Sequence, residues 1–379
     1  MQNEIIYDVA VIGGGLAGLS VAIASAQKGA SVILIEKEKY PFHKVCGEYI
    51  SMESWNYLEG LGIDLSSYGL PKINKLNVTS PSGNTFSTKL IPGGFGISRF
   101  TLDAALKISA ESKGVNVIEN CRADNVEFSA NLFSISTSAG TIRSKVCTGS
   151  FGKKSNLDVK WKRPFTSDKK TKLNNFIGVK YHVIAQLQEE TIFLHNFENG
   201  YCGISKIEND LSCMCYLTTA SNLKKSNNSI EEMEEKILSK NPHLRKLFSS
   251  VIKKYNSPLT ISQISFEKKS LVHDHILLNG DAAGMISPLC GNGMSMALHS
   301  GKILSEIISR FLKNELTREE MERAYIYSWK KQFSSRLFTG RIIQSFFGKS
   351  TATNFFISAM KGMPSIANGL IKRTHGDLY

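Results

Sequence analysis

Gly13, Gly15 and Gly18 stand at the spacing G-x-G-x-x-G near the start of the chain. A short apolar run, Asp8 to Ile12 (DVAVI), precedes them. Residues 16–28 (LAGLSVAIASAQK) follow with helical apolar spacing and close at Gly29, a residue type suited to ending a helix. A second buried run, Ser31 to Glu36 (SVILIE), comes next. Strand, glycine turn, helix and strand in this order open a parallel α/β sheet. In that setting Gly13 permits the tight turn, Gly15 lets a pyrophosphate approach the backbone, and Gly18 packs the helix close to the sheet. Leu16 and Ala17 begin the helix, whose N–H groups face the phosphates. Glu36, with Lys37 beside it, ends the second strand, where a carboxylate accepts hydrogen bonds from a ribose 2′-hydroxyl and repels a 2′-phosphate. The chemistry is dinucleotide binding, and the spacing alone does not choose between FAD and NAD.

The choice comes from far downstream. Leu277-Leu278-Asn279-Gly280-Asp281-Ala282-Ala283-Gly284 leads into Pro288-Leu289-Cys290-Gly291-Asn292-Gly293-Met294. These segments resemble the second FAD fingerprint of the p-hydroxybenzoate-hydroxylase-like flavoproteins. The resemblance implies that Gly280 and Asp281 meet the ribityl chain, and that Pro288, Gly291, Gly293 and Met294 lie along the flavin ring. Glycines there bring backbone N–H groups to the pyrimidine edge, and a helix starting at Gly293 aims its N-terminus at it, favouring an anionic reduced flavin. Arg99, in Ile97-Ser98-Arg99-Phe100-Thr101-Leu102-Asp103, matches the arginine that precedes a helix in these enzymes and contacts the FAD. The implied cofactor is non-covalent FAD, and the likeness spans about the first 315 residues.

Within that superfamily, Tyr40-Pro41-Phe42-His43-Lys44-Val45-Cys46-Gly47-Glu48 looks like the loop of the geranylgeranyl-reductase branch. That branch carries a Cys-Gly pair here, where related flavin halogenases have Val-Gly-Glu. The loop is then expected beside the isoalloxazine, with Cys46, His43 and Glu48 as catalytic candidates. Plainer roles compete: Cys46 as a small buried hydrophobe, His43 as a structural histidine. His43 and Cys46 alone do not make a metal site, since no further ligands cluster with them in sequence.

Three departures qualify the resemblance. Gly149-Ser150-Phe151-Gly152-Lys153-Lys154-Ser155 has Phe151 where the family's Asp-Gly motif has its Asp, which puts direct use of NAD(P)H in question and points to a separate electron donor. Gly200-Tyr201-Cys202-Gly203-Ile204-Ser205-Lys206 lacks the Trp and Pro of the prenyl-reductase segment. Trp161-Lys162-Arg163-Pro164 does not supply the halogenase Trp-x-Trp-x-Ile-Pro motif. The resemblance therefore favours a flavin monooxygenase hydroxylating an apolar aromatic or polyketide- or lipid-like small molecule. The alternative is a flavin-dependent reductase of a carbon–carbon double bond in an isoprenoid-like substrate. A non-catalytic binding protein on the same fold is a remote third.

These residues need elements to hold them. The expected architecture is α/β: a discontinuous Rossmann-like FAD domain (1–75, 98–160 and 270–315) with an inserted antiparallel β-sheet substrate domain (76–97 and 161–269) and a C-terminal helical region (316–379). Helices are expected over 98–114, capped by Ser98 or Thr101, over 228–248, and over 293–312 and 317–347. Short alternating strands fill 115–147, and 176–218 is mostly strand-like. With 379 residues, 42% of them apolar, the chain has enough material for such a core. Seven cysteines without tight zinc spacing fit free thiols in a reducing cytosol. No stretch has the length of a membrane span and no signal peptide is evident.

The net charge of +13 is concentrated. Residues 152–175 hold eight Lys/Arg against two Asp, and 330–379 hold eight against Asp377 alone. No nucleic-acid motif accompanies the charge. Around Arg336, Arg341, Lys349 and Lys361 lie the clusters Phe346-Phe347 and Phe355-Phe356-Ile357. Either this tail packs as an ordinary helical pair, or it makes the protein peripheral on an anionic membrane face of the cytoplasm.

Overall fold

The computed structural model describes residues 5–166, 175–287 and 291–346, together with Thr353, Asn354, Ile357, Met360, Gly369 and Tyr379. Two sheets organise them. In the first, the apolar strand Ile6–Ile12 lies between Val32–Ile35 and Gly140–Gly149 and runs parallel to both, with Val9 opposite Val32 and Val146. Val9, Ala10 and Val11 are fully buried, as a strand covered on both faces requires. Asn116–Ile118 extends this sheet in parallel beside Val32–Ile35, so it belongs to the βαβ layer and not to the alternating strands that follow.

The helix Leu16–Ala26 packs on this sheet and against the helix Gly293–Leu312, where Ser20 Oγ donates to Leu298 O at 2.9 Å. The long helix Arg318–Phe346 is tied to the end of the strand Ile276–Leu278 by Tyr325 Oη, which donates to Leu278 O at 2.6 Å. No described helix is long and apolar enough to cross a membrane.

The second sheet has nine strands. Its long members are Lys72–Thr79, Thr85–Gly96, Phe176–Ile184, Thr191–Phe197, Gly200–Lys206 and Ser212–Thr219. Pairing is antiparallel except where Thr191–Phe197 runs beside Lys72–Thr79. Strand alternation gives this sheet two buried faces of different kinds. Ile177, Val179, Tyr181 and Val183 join Cys202, Met214 and Tyr216 in a core beneath the helices of 220–250. Gly178, Lys180 and His182 turn the other way, toward the turn His43–Glu48. The helical stretch expected over 228–248 is divided into Ile230–Lys236 and Pro242–Ser250, because Asn241 caps a new helix with Pro242 in its first turn.

In the C-terminal region Arg336 points inward: it is 5% exposed and pairs with Glu53 at 3.5 Å. The expectation that it adds charge to an outer basic face is thereby corrected; a buried carboxylate needs a partner, and Arg336 supplies it. Ile357 is buried against Val78 and Phe86. Phe347, Lys349, Phe355, Phe356 and Lys361 lie outside the described residues, as do Pro288, Cys290 and part of the basic stretch near 170.

Candidate functional site

The glycine turn is built for close contact. Gly13 sits at φ +103°, and a Cβ on it would stand 2.6 Å from Ser150 O, just past the end of the neighbouring strand Gly140–Gly149. A Cβ on Gly18 would run into Gly13 O, so the helix approaches the turn as only glycine allows. At Gly15 the nearest atoms to such a Cβ are Lys44 Nζ at 3.5 Å and an Arg99 guanidinium nitrogen at 3.6 Å. That position faces open space between two cations. Glu36, 5% exposed, accepts from Gly14 N–H at 2.7 Å and Glu38 N–H at 3.0 Å, so it braces the turn besides ending the strand. Tyr40 Oη donates to Gly14 O.

Arg99 forms a two-pronged ion pair with the buried Asp103, both contacts at 2.7 Å, and Lys44 reaches the same carboxylate at 3.3 Å. Asp281 also borders the slot; burial pushes its carboxyl up, opposed by Lys269, Arg99 and Lys153. Lys269 donates to Asp281 O at 2.8 Å and to Lys153 O at 2.7 Å, and burial brings it down to about 8.

These parts meet in one cavity of about 1210 Å³. Gly13, Gly15, Leu16, Ala17, Glu36, Lys37, Arg99, Asp281, Gly291, Gly293 and Met294 all border it. Gly18 and Gly280 stand just behind, packing the turn and the Asp281 loop. Two helices begin at this wall, Leu16–Ala26 after Gly15 and Gly293–Leu312 after Asn292, and neither start receives a side-chain cap. Two helix N-termini without side-chain caps, with cations between them, suit a molecule carrying a pyrophosphate at one place and an electron-accepting ring at another. FAD fits this donor set: Gly15 and the first helix for the pyrophosphate, Glu36 for the ribose, Asp281 for the ribityl chain, Gly291 to Met294 for the ring.

Away from the glycines the cavity turns apolar. Leu76, Val78, Phe86, Leu194, Leu217 and Met360 border this arm, with Tyr201 and Gly203 on the strand Gly200–Lys206. Cys46, His43 and Glu48 border the cavity as well. Burial raises the Cys46 thiol above its ordinary range, so it is a thiol and not a thiolate near neutrality. His43 stacks on Phe100 with centroids 4.6 Å apart and meets His182 edge-on at 5.2 Å. Burial and the nearby Lys180 lower it below the usual histidine range.

Glu48 is fully buried and its carboxylate is occupied. It accepts from Arg99 N–H at 2.8 Å and from Lys180, and its other oxygen lies 2.6 Å from His182 Nε2. Burial would raise this carboxyl, but His182 and Lys180 outweigh it and hold Glu48 ionised. Lys180, His182 and Cys213 escaped the sequence reading. The available signal was two polar residues at i, i+2 in the otherwise apolar run FIGVKYHVI, which puts both on one strand face. Lys44 and Asp103 were also missed, although Arg99 and Asp103 at i, i+4 on a helix invite an ion pair. Trp161 and Arg163 are committed elsewhere: the ring lies 4.6 Å from His273, and the guanidinium pairs with Asp158 at 2.6 Å.

The conditioned medium factor receptor 1 of Dictyostelium discoideum is 24% identical, over 88% of this chain and 69% of that protein. The digeranylgeranylglycerophospholipid reductase of Methanocaldococcus jannaschii is 27% identical, over 86% and 83% of the two chains. Among solved structures, the flavin-dependent brominase Bmp2 superposes with a TM-score of 0.80 over 98% of this chain and 93% of its own, at 22% identity, a likeness of fold. The model of a family described as FAD binding domain matches residues 6–325, a span that takes in the glycine turn, Arg99, the Asp281 loop and the helix after Gly293 alike. With backbone cradle, cations and family pattern coinciding over that span, the chain belongs to the FAD-binding-domain family of flavoproteins.

Proposed function

We propose that this FAD-dependent oxidoreductase is a monooxygenase that hydroxylates an apolar aromatic or polyketide- or lipid-like small molecule. The observation that carries the reading is the continuity of the cavity, in which the backbone-lined cofactor slot opens directly into an apolar arm. FAD supplies the two-electron chemistry when bound, with oxygen as the second substrate. The chain supplies the rest. The arm excludes water from the reacting atoms and orients an apolar substrate toward the ring. Glu36, Arg99 and Asp281 hold the cofactor, and Cys46 stands at the edge of the arm. Phe151 borders the cavity and offers neither charge nor hydrogen bond to a nicotinamide, which supports a separate electron donor. Stopped-flow mixing with NADPH or NADH should give slow reduction, and fast reduction without substrate would return the donor role to the nicotinamide.

A second reading, reduction of a carbon–carbon double bond, is favoured by the Methanocaldococcus relative and by the protonated Cys46 thiol at the cavity wall. Against it, the wall strand Gly200–Lys206 carries neither Trp nor Pro. Reduced protein given a panel of apolar substrates and labelled oxygen separates the two. Label in the product supports the monooxygenase, whereas saturation of the substrate without oxygen overturns it.

For location we propose the cytoplasm with peripheral contact at anionic lipid. The helix Arg318–Phe346 exposes Tyr327, Lys331, Phe338 and Ile342 at helical spacing on one face. Co-sedimentation with anionic vesicles at low salt tests this, and an indifferent protein removes the membrane.

A further inference from the structure

The strand face carrying Gly178, Lys180 and His182 lies against the turn His43–Glu48, and each of the three residues meets it. A Cβ on Gly178 would stand 3.0 Å from Ile261 Cγ2 and 3.2 Å from Val45 Cγ1, so glycine leaves room for the Val45 side chain of the turn to pack on the strand. Lys180, whose side chain is 1% exposed, donates to Lys44 O at 3.1 Å and to the Glu48 carboxylate. His182 Nε2 takes the second Glu48 oxygen. On the adjoining strand Cys213, opposite His182 in the register, donates its thiol to Cys46 O at 3.2 Å. Glu48 itself sits at φ +55°, a conformation its side chain alone does not favour. Its backbone and its carboxylate are also held by the segment entering the helix Arg99–Ser112, Ile97 N–H donating to Glu48 O at 3.1 Å and Arg99 N–H to the carboxylate at 2.8 Å.

We propose that Lys180 and His182 are positioning residues: acting through Glu48, they hold the Cys46 turn against the cofactor slot and tie it to the substrate sheet. The arrangement makes one rigid strand serve both ends of the cavity, since Gly178 borders the cavity two residues from Lys180. Glu48, His182 and Cys213 also have the residue types of a metal site, with their ligand atoms within 4.8 Å of one another. The Lys180 ammonium already neutralises that carboxylate, and the Cys213 thiol is spent on a carbonyl, so the lysine stands where a metal's charge would be needed. This inference rests on the flavin reading of the slot and is indifferent to which reaction the flavin performs.

The test uses the full chain with its flavin, in the wild type and in Lys180→Met, His182→Asn and Glu48→Gln. N-Ethylmaleimide labelling of Cys46 is followed by peptide mass mapping, alongside the visible flavin spectrum and a melting curve; Lys236→Met at a surface ion pair serves as a control. Releasing the turn should speed Cys46 labelling at least tenfold and shift the flavin bands in Lys180→Met. Glu48→Gln, which keeps the shape and part of the hydrogen bonding, should lie between. If Lys180→Met does not fold, His182→Asn and Glu48→Gln carry the measurement. Labelling and spectra equal to the wild type in folded variants overturn the proposal. So does one equivalent of zinc bound by dialysed protein and lost in both Glu48→Gln and His182→Asn. A chain that binds no flavin at all would remove the flavin reading instead, while the labelling rates still report on the turn.

Discussion

The two ends of the cavity are made of different material. At the cofactor end the lining is rich in backbone, with a glycine turn, two helix N-termini and Gly291, supported by charged side chains such as Glu36, Lys44, Arg99 and Asp281. At the substrate end it is side chain, contributed by alternate residues of several strands and by Met360 from the C-terminal region. A backbone surface leaves a rigid trace in sequence, because a tight turn with a close neighbour admits few residue types. A side-chain surface can be rebuilt by exchanging one apolar residue for another, at a cost usually under about 1.5 kcal/mol when volume is kept. The same molecule can thus hold its cofactor by fixed residues and vary its substrate by free ones.

Substitutions can break this contrast. The largest effect is expected from Gly13→Val, where a positive φ and the Ser150 carbonyl both oppose a side chain. Strain there is about 3 kcal/mol or more, and the product should be poorly folded and colourless; a flavin-loaded variant melting like the wild type would contradict the turn's role. Next come Gly15→Leu and Asp281→Ala. The Gly15 site is open, so Gly15→Leu should keep the fold while weakening FAD about a hundredfold, near 2.7 kcal/mol. Normal flavin content in both variants sinks the slot assignment.

A smaller effect belongs to the other end. Gly203→Leu places bulk into the arm, where a Cβ would make ordinary contact with Leu194 at 3.4 Å. Flavin content should stay unchanged, while an apolar fluorescent probe such as anilinonaphthalene sulfonate binds about tenfold more weakly, about 1.4 kcal/mol. Loss of flavin instead would show that the two ends are not separable. The smallest change in flavin affinity is expected from Glu36→Gln, which keeps one acceptor for Gly14 N–H, gives up the other for Glu38 N–H and weakens the ribose contact. Flavin affinity measured by titration should fall less than about fivefold, under about 1 kcal/mol.

Legibility followed the same division. The first strand, turn and helix, a cap at Ser98 or Thr101 that the structure settles on Ser98, and the helix beginning at Gly293 were readable from local pattern. Glu36, Arg99 and Asp281 reach one cavity although 245 positions separate the first from the last. Lys180, His182 and Cys213 were not readable, because their roles arise only when two strands of the second sheet are laid on the turn His43–Glu48. No local period records that contact. Arg336 shows the converse: a basic residue in a basic tail looks exposed until a buried Glu53 is found beside it.

The slot is assembled from residues 13–18, 36, 99, 281 and 291–294, stretches that only the folded chain brings together. A ligand gripping all of them binds the native state and not the unfolded chain. Occupancy therefore enters the folding equilibrium itself: flavin at a hundred times its dissociation constant adds about 2.7 kcal/mol of stability. Heat tolerance should then rise with the concentration of free flavin, and protein made in flavin-starved cells should be cleared faster than protein made with flavin in excess.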